Sequence, residues 1–190
     1  MIKLHTQIRK PTFYKAKRQE MDIKTFIRDI PDFPKPGVVF KDITPLLKNP
    51  AAFRAVVDQW AARYEKKGLS AIVAMESRGF IFAAPLAVRL GIPFIPVRKP
   101  GKLPYKTIRE TYELEYGTDS LEIHEDALSK GDKVLVLDDV LATGGTAAAV
   151  IRLVERAGGN VEEAGFLMEL TFLKGREKLK SIPVHSIIQY

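Results

Sequence analysis

The run Val134-Leu-Val-Leu-Asp138-Asp139-Val-Leu-Ala142-Thr143-Gly144-Gly145-Thr146 limits the possible folds of this chain more than any other segment. Its apolar start reads as a strand buried on both faces, which belongs in a parallel sheet covered by helices. Two adjacent carboxylates follow, and a Gly- and Thr-rich turn then opens a helical stretch that Gly158-Gly159 ends. In such sheets ligands bind beyond the carboxyl ends of the strands. The free N–H groups of a helix's first turn, reinforced by the helix dipole, attract an anion such as a phosphate. Gly144 and Gly145 let the backbone come close and adopt φ > 0, and Thr143 and Thr146 add hydroxyl donors. Carboxylates beside a phosphate make sense if they accept hydrogen bonds from hydroxyls attached to it, so the run implies a sugar phosphate. It is neither a Walker A loop, since no Lys follows the glycines, nor a dinucleotide GxGxxG fingerprint.

The rest of the chain repeats the same alternation. Asn49 as N-cap, Pro50 at the first helical position and apolar residues from Phe53 to Tyr64 at helical spacing predict a helix that ends before Gly68. Strands are predicted at 71–75, 93–97, 133–137, 161–170 and 184–188, with helices at about 79–90 and 145–157. A short helix is expected over 21–30, then a Pro-rich extended segment, and an antiparallel pair over 111–116 and 120–124. The expected fold is α/β: a central, mostly parallel twisted sheet flanked by helices, with a small N-terminal hood over 21–48 and a mobile flap over 98–120.

Composition narrows the chemistry. The 190 residues contain no cysteine and only His5, His124 and His185, which excludes disulfides, thiol nucleophiles and Cys-based metal centres. The longest apolar run, Gly79 to Val88, is too short to span a bilayer, and no signal-peptide pattern is visible, so a cytoplasmic protein without a membrane partner is expected. Of the formal charge of +7, five units come from residues 1–20, which hold six basic side chains against Glu20. This extension is expected to be a disordered arm or the product of an upstream start codon. A nucleic-acid-binding arm and a targeting peptide are its alternatives. Residues 21–190 are expected to form one domain.

The strand–acid–glycine run resembles the phosphoribosyl-pyrophosphate motif of the type I phosphoribosyltransferases. From about Phe26 to Tyr190 the chain is similar to the adenine phosphoribosyltransferases among them. The segments that carry the likeness are Asp32-Phe-Pro-Lys-Pro-Gly-Val-Val-Phe40-Lys-Asp-Ile, Glu76-Ser-Arg-Gly-Phe80, Arg98-Lys-Pro-Gly-Lys-Leu-Pro104, Leu114-Glu-Tyr-Gly117 and Glu169-Leu-Thr-Phe-Leu-Lys-Gly-Arg-Glu-Lys178. The resemblance implies transfer of a phosphoribosyl group from phosphoribosyl pyrophosphate to adenine, giving AMP and pyrophosphate. It also implies magnesium carried by the substrate, possible water bridges from that ion to Asp138 and Asp139 with no purely protein metal site, and a homodimer.

Residue by residue, the resemblance assigns the 5′-phosphate to Ala142, Thr143, Gly144, Gly145 and Thr146, and the ribose hydroxyls to Asp138 and Asp139. Pyrophosphate falls to Glu76, Ser77 and Arg78, the first peptide of that loop often being cis, and to Arg98, Lys99 and Lys102 at the start of the flap. Glu115 is the flap carboxylate nearest the purine nitrogens and, with Asp138 and Asp139, the expected catalytic set. The adenine slot is expected between Phe40 and Leu170, with the backbone near Val39 and the side chain of Lys41 at the base edge. Pro100 and Lys41 depart from the family's usual basic residue and Arg. Two readings compete: a sister purine or pyrimidine phosphoribosyltransferase, and a ligand-sensing regulator that binds nucleic acid through the basic arm. No helix-turn-helix pattern in the first 20 residues supports the regulator, so no nucleic-acid partner is expected.

Overall fold

The computed structural model describes residues 21–113, 117–179 and 182–190. The basic extension over 1–20 lies outside the described residues. Five parallel strands, β3 (Ala71–Met75), β4 (Phe94–Val97), β7 (Lys133–Leu141), β8 (Asn160–Glu169) and β9 (Val184–Gln189), form the central sheet in the order β4-β3-β7-β8-β9. Side chains alternate between its faces, as a pleated strand requires. Val73, Val134 and Val136 pack against α4 (Gly145–Arg156), whereas Ile72, Ala74, Leu135 and Leu137 pack against α2 (Pro50–Tyr64) and α3 (Arg78–Leu90). This three-layer arrangement is the fold expected from the sequence.

The strand order places a switch point between β3 and β7, because the chain leaves β3 toward β4 on one side and returns through β7 on the other. Two connections therefore diverge beyond adjacent strand ends and open a crevice. Their sequences are Glu76–Ser77 into α3 and Ala142–Gly144 into α4.

Helix ends follow the local chemistry. The Asn49 side chain accepts from the N–H groups of Ala51 (3.0 Å) and Ala52 (3.1 Å), and Gly91, with φ 68°, closes α3. Replacing Asn49 with Ala is expected to cost about 1 kcal/mol. Urea unfolding should show a lower midpoint with an unchanged slope.

Several elements differ from expectation. The helix expected over 21–30 is a 3-10 turn, Ile23–Phe26, followed by strand β1 (Arg28–Ile30), which pairs antiparallel with β2 (Phe40–Asp42). Pro31 disfavours a helical Ile30, and the β2 edge offers the backbone an extended partner. The central strand β7 runs on through both acids to Leu141, because Val140 and Leu141 continue pairing with Met168 and Glu169 of β8. A short helix, α1 (Thr44–Lys48), and the 3-10 turns Thr171–Leu173 and Gly175–Leu179 had no clear periodic signal.

The antiparallel pair is present as β5 (Thr107–Glu113) and β6 (Thr118–His124). It is fixed to α4 by Glu110, which accepts from Arg152 (2.6 Å) and Arg156 (2.8 Å). No helix among the described residues is long and apolar enough to cross a membrane.

Candidate active site

A pocket of about 360 Å³ occupies the switch point, lined by Glu76, Ser77 and Arg78 from the first connection and by Asp138 through Ala147 from the second. The α4 end is built for an anion. Gly144 is its N-cap with φ 78°, and no side chain caps the helix, so the first-turn N–H groups face the pocket unblocked by a cap. Of the two glycines expected to need unusual backbone freedom, only Gly144 has positive φ; Gly145 is an ordinary first helical residue. A Cβ on Gly144 would collide with the carbonyl oxygen of Gly175, and one on Gly175 with that of Ala142. The turn thus packs backbone against backbone on the Gly175–Leu179 segment.

The two acids sit at the pocket wall. The Asp138 Oδ1 atom accepts from the Asp139 N–H at 2.8 Å. Burial first, and the neighbouring Asp139 charge second, push the Asp138 carboxyl well above the usual carboxylate range. Burial also raises Asp139, although Arg78 opposes it. The Arg78 Nε lies 2.8 Å from Asp139 Oδ2, yet that oxygen has no aligned hydrogen-bond donor. The contact is therefore a charge pair that leaves an acceptor lobe open, a costly state for a buried oxygen unless a ligand supplies the donor. Gly79 makes this proximity possible, since a Cβ there would lie 2.9 Å from Asp138 Oδ1 and 3.1 Å from Leu137 O.

On the opposite wall the Glu76–Ser77 peptide is cis, as the resemblance implied. Glu76 gathers two of the predicted basic residues: Arg98 Nε donates to it at 2.7 Å and Lys102 Nζ to its other oxygen. Burial alone would raise Glu76, but the hydrogen bonds from Lys102 and Arg98 hold it below its ordinary value. Lys99 is directed elsewhere, to Asp119 at 3.1 Å. None of these three basic residues lines the pocket; Arg98 and Lys102 connect to it through Glu76.

The expected adenine residues also stand outside the pocket lining. Phe40 connects to it through Arg78, whose guanidinium carbon is 5.2 Å from the ring centroid, and packs edge-on to Phe33. Val39 is exposed, and Leu170 follows the end of β8, its N–H bonded to Leu141 O at 2.9 Å. The Lys41 ammonium is 2.7 Å from Asp29 and 4.0 Å from the Tyr190 ring centroid, so a contact with a base edge would require it to leave that pair. Glu115 lies outside the described residues.

Sequence reasoning missed Gly175, the spacing role of Gly79, and Tyr112. The Tyr112 phenol meets Thr146 Oγ1 at 3.4 Å, and its ring would touch a Cβ on Gly145 at 3.9 Å. The Lys174-Gly175-Arg176 turn was quoted in the sequence, but nothing local there marks a contact with a loop some thirty residues earlier.

A parallel sheet whose switch point sets an uncapped helix start beside two adjacent acids, one buried and one half-buried, is the arrangement of a phosphoribosyl transferase domain. The family model of that description matches residues 42–180. The chain is 63% identical over 169 residues to the adenine phosphoribosyltransferase of Roseiflexus sp. (strain RS-1), covering 89% of this chain and 98% of that one. Among solved structures it is similar to adenine phosphoribosyltransferase from Thermoanaerobacter pseudethanolicus, with TM-score 0.86, 55% identity, and 88% of this chain and 98% of that chain covered. It is also similar to the Saccharomyces cerevisiae enzyme complexed with an imino-altritol bisphosphate and adenine, with TM-score 0.84, 42% identity and coverage of 88% and 97%. The chain belongs to the adenine phosphoribosyltransferase family.

Proposed function

We propose that this chain transfers the 5-phosphoribosyl group of phosphoribosyl pyrophosphate to adenine, yielding AMP and pyrophosphate, a purine-salvage reaction, with the switch-point pocket as the ribosyl site. The observation that carries the site assignment is the junction, in one pocket, of an uncapped helix start with two adjacent acids, Asp139 buried and Asp138 half-buried. The 5′-phosphate would be held by the N–H groups and hydroxyls of Ala142 to Thr146, and the ribose hydroxyls would donate to Asp138 and Asp139. Such donation relieves two acids that burial otherwise penalises.

In the reaction the C1′–N9 bond forms as the C1′–oxygen bond to pyrophosphate breaks, the proton on the base passing to an acceptor. Glu115 is the residue proposed for that role. Positive charge develops on the ribosyl ring and negative charge on the leaving group. Ser77 and Arg78 in the pocket, with Arg98 and Lys102 held at Glu76, would receive the latter, and Lys99 would join them on leaving Asp119. Glu76 keeps Arg98 and Lys102 close until the leaving group competes for them.

The donor set also fits magnesium carried by the substrate. Asp138 and Asp139 offer hard oxygens to an ion that keeps its waters and phosphate oxygens. When bound, the ion would neutralise charge on the pyrophosphate. The reading includes a cytoplasmic homodimer; both rest on family membership, and sedimentation analysis tests the dimer.

The base would lie between Phe40 and Leu170, its amino group donating to a backbone carbonyl near Val39. A 6-oxopurine would leave that carbonyl unpaired, costing about 1–3 kcal/mol, or about 5- to 150-fold in kcat/KM. Competition among adenine, hypoxanthine, guanine, xanthine and orotate is the direct test, with adenine expected to win by that margin. Preference for another base would identify a sister enzyme, and no turnover by folded protein with any of them would reject the reading.

A further inference from the structure

Tyr190 stands at a crossing that none of the assigned roles uses. Its ring is approached by two ammonium groups, Lys41 Nζ at 4.0 Å and Lys24 Nζ at 4.2 Å from the centroid. Both come from the N-terminal hood: Lys24 from the 3-10 turn and Lys41 from β2, directly after Phe40. Each is anchored again, Lys41 to Asp29 of β1 at 2.7 Å and Lys24 to the carbonyl of Gln189 at 3.0 Å. The Tyr190 backbone meanwhile holds the opposite side. Its N–H donates to Glu169 O at 3.0 Å, and its carbonyl accepts from both the N–H and the hydroxyl of Thr171. Leu170 lies between those two partners.

We propose that Tyr190 is a positioning residue for adenine, setting the distance between the hood strand that carries Phe40 and the turn that carries Leu170. The ring face is a platform for the hood's lysines, while the main chain fixes the other jaw. A cation over an aromatic ring is attracted by the ring's quadrupole, more strongly when desolvated, and the Lys41 side chain is only 13% exposed. Without the ring, the ammonium of Lys41 would keep only Asp29, which belongs to the hood itself and gives no tie to the body. This inference rests on the proposed adenine slot, so its test separates the two.

Initial rates of the full chain are measured with adenine varied at saturating phosphoribosyl pyrophosphate, and then the reverse. Tyr190→Ala is expected to raise the KM for adenine about 5- to 10-fold while the KM for phosphoribosyl pyrophosphate changes less than about 2-fold. Tyr190→Phe, which keeps the ring face, should restore both values. Lys24→Met, an exposed change that keeps the fold even if Tyr190→Ala does not, should raise the KM for adenine about 2-fold or more. Phe40→Ala serves as the independent check of the slot. If Phe40→Ala raises the KM for adenine and neither the Tyr190→Ala nor the Lys24→Met variant does, the positioning role is wrong and the slot stands. Equal changes in both KM values for Tyr190→Ala would mean a general structural role and overturn it. No effect of Phe40→Ala would remove the slot, and this inference with it.

Discussion

Gly144→Ala is expected to lower kcat/KM by about 100-fold or more, chiefly through weaker binding of phosphoribosyl pyrophosphate, and to cost at least about 2 kcal/mol of stability. Two separate facts lead there. Gly144 holds φ 78°, where an L side chain costs about 1–2 kcal/mol. A Cβ at this position would also run into the Gly175 carbonyl, which is main chain and not the yielding end of a side chain, so one of the two backbones must shift. The strain therefore reaches the anion-binding turn itself. Charge-assisted hydrogen bonds from helix-start N–H groups are strong only when aimed at the phosphate, so a shift of a few tenths of an ångström in the turn weakens several at once.

Gly145→Ala makes the comparison informative. That residue has no positive φ, and its Cβ would meet only Glu113 O at 3.6 Å and the Tyr112 ring at 3.9 Å, ordinary contacts. Its thermal midpoint should stay within about 2 °C of the parent, since a change that makes only ordinary contacts is worth under about 0.5 kcal/mol. Activity assays and thermal unfolding of both variants decide the matter. Equal, mild effects would show that the turn's close packing on Gly175 is unimportant.

The same pair of glycines shows where sequence reading ends. That a Gly-Gly turn after a buried strand begins a helix is a local statement, and so are the Asn49 cap, the Gly91 stop and the apolar runs of β3 and β7. Short-range sterics and hydrophobic period dictate them, and the fold follows. Which of the two glycines is indispensable depends instead on Gly175, whose approach is decided by the path of the chain after β8. The 21–30 segment fails for a related reason. Its Ile and Phe spacing suits a helix, but pairing with β2 across the intervening Pro-rich turn outweighs that weak local preference. Within the site, the residue types at 76–78 and 138–146 announced an anion and a sugar. The attachment of Arg98 and Lys102 to Glu76, and of Lys41 to Asp29 and Tyr190, depends on long-range placement that no spacing rule encodes.

Asp138→Asn should separate function from stability. Asn keeps an oxygen to accept from the Asp139 N–H and removes a charge that the fold disfavours. In the native protein the Asp138 carboxyl titrates well above its ordinary value of 3.8, while in the unfolded chain it titrates near that value. Between those two points the native state binds more protons than the unfolded one, so stability falls as pH rises through the interval. The Asn variant lacks this decline. It should match the parent near pH 3, become progressively more stable as pH rises above about 4, and hold a constant advantage once the native carboxyl has ionised.

Turnover should move the other way. A carboxylate accepting from ribose hydroxyls contributes about 1.5–3 kcal/mol per bond, so loss of its charge predicts a 10- to 100-fold fall in kcat/KM, as an order of magnitude. Unfolding midpoints from pH 3 to 8, measured beside steady-state rates, give the two curves. An Asn variant that loses stability above pH 5 would show that the buried charge is compensated in the free protein. Unchanged turnover would remove Asp138 from the ribose site. The paired outcome, greater stability with lower activity, is what a pocket should give when the acceptor positions its acids leave open are filled by the substrate's hydroxyls.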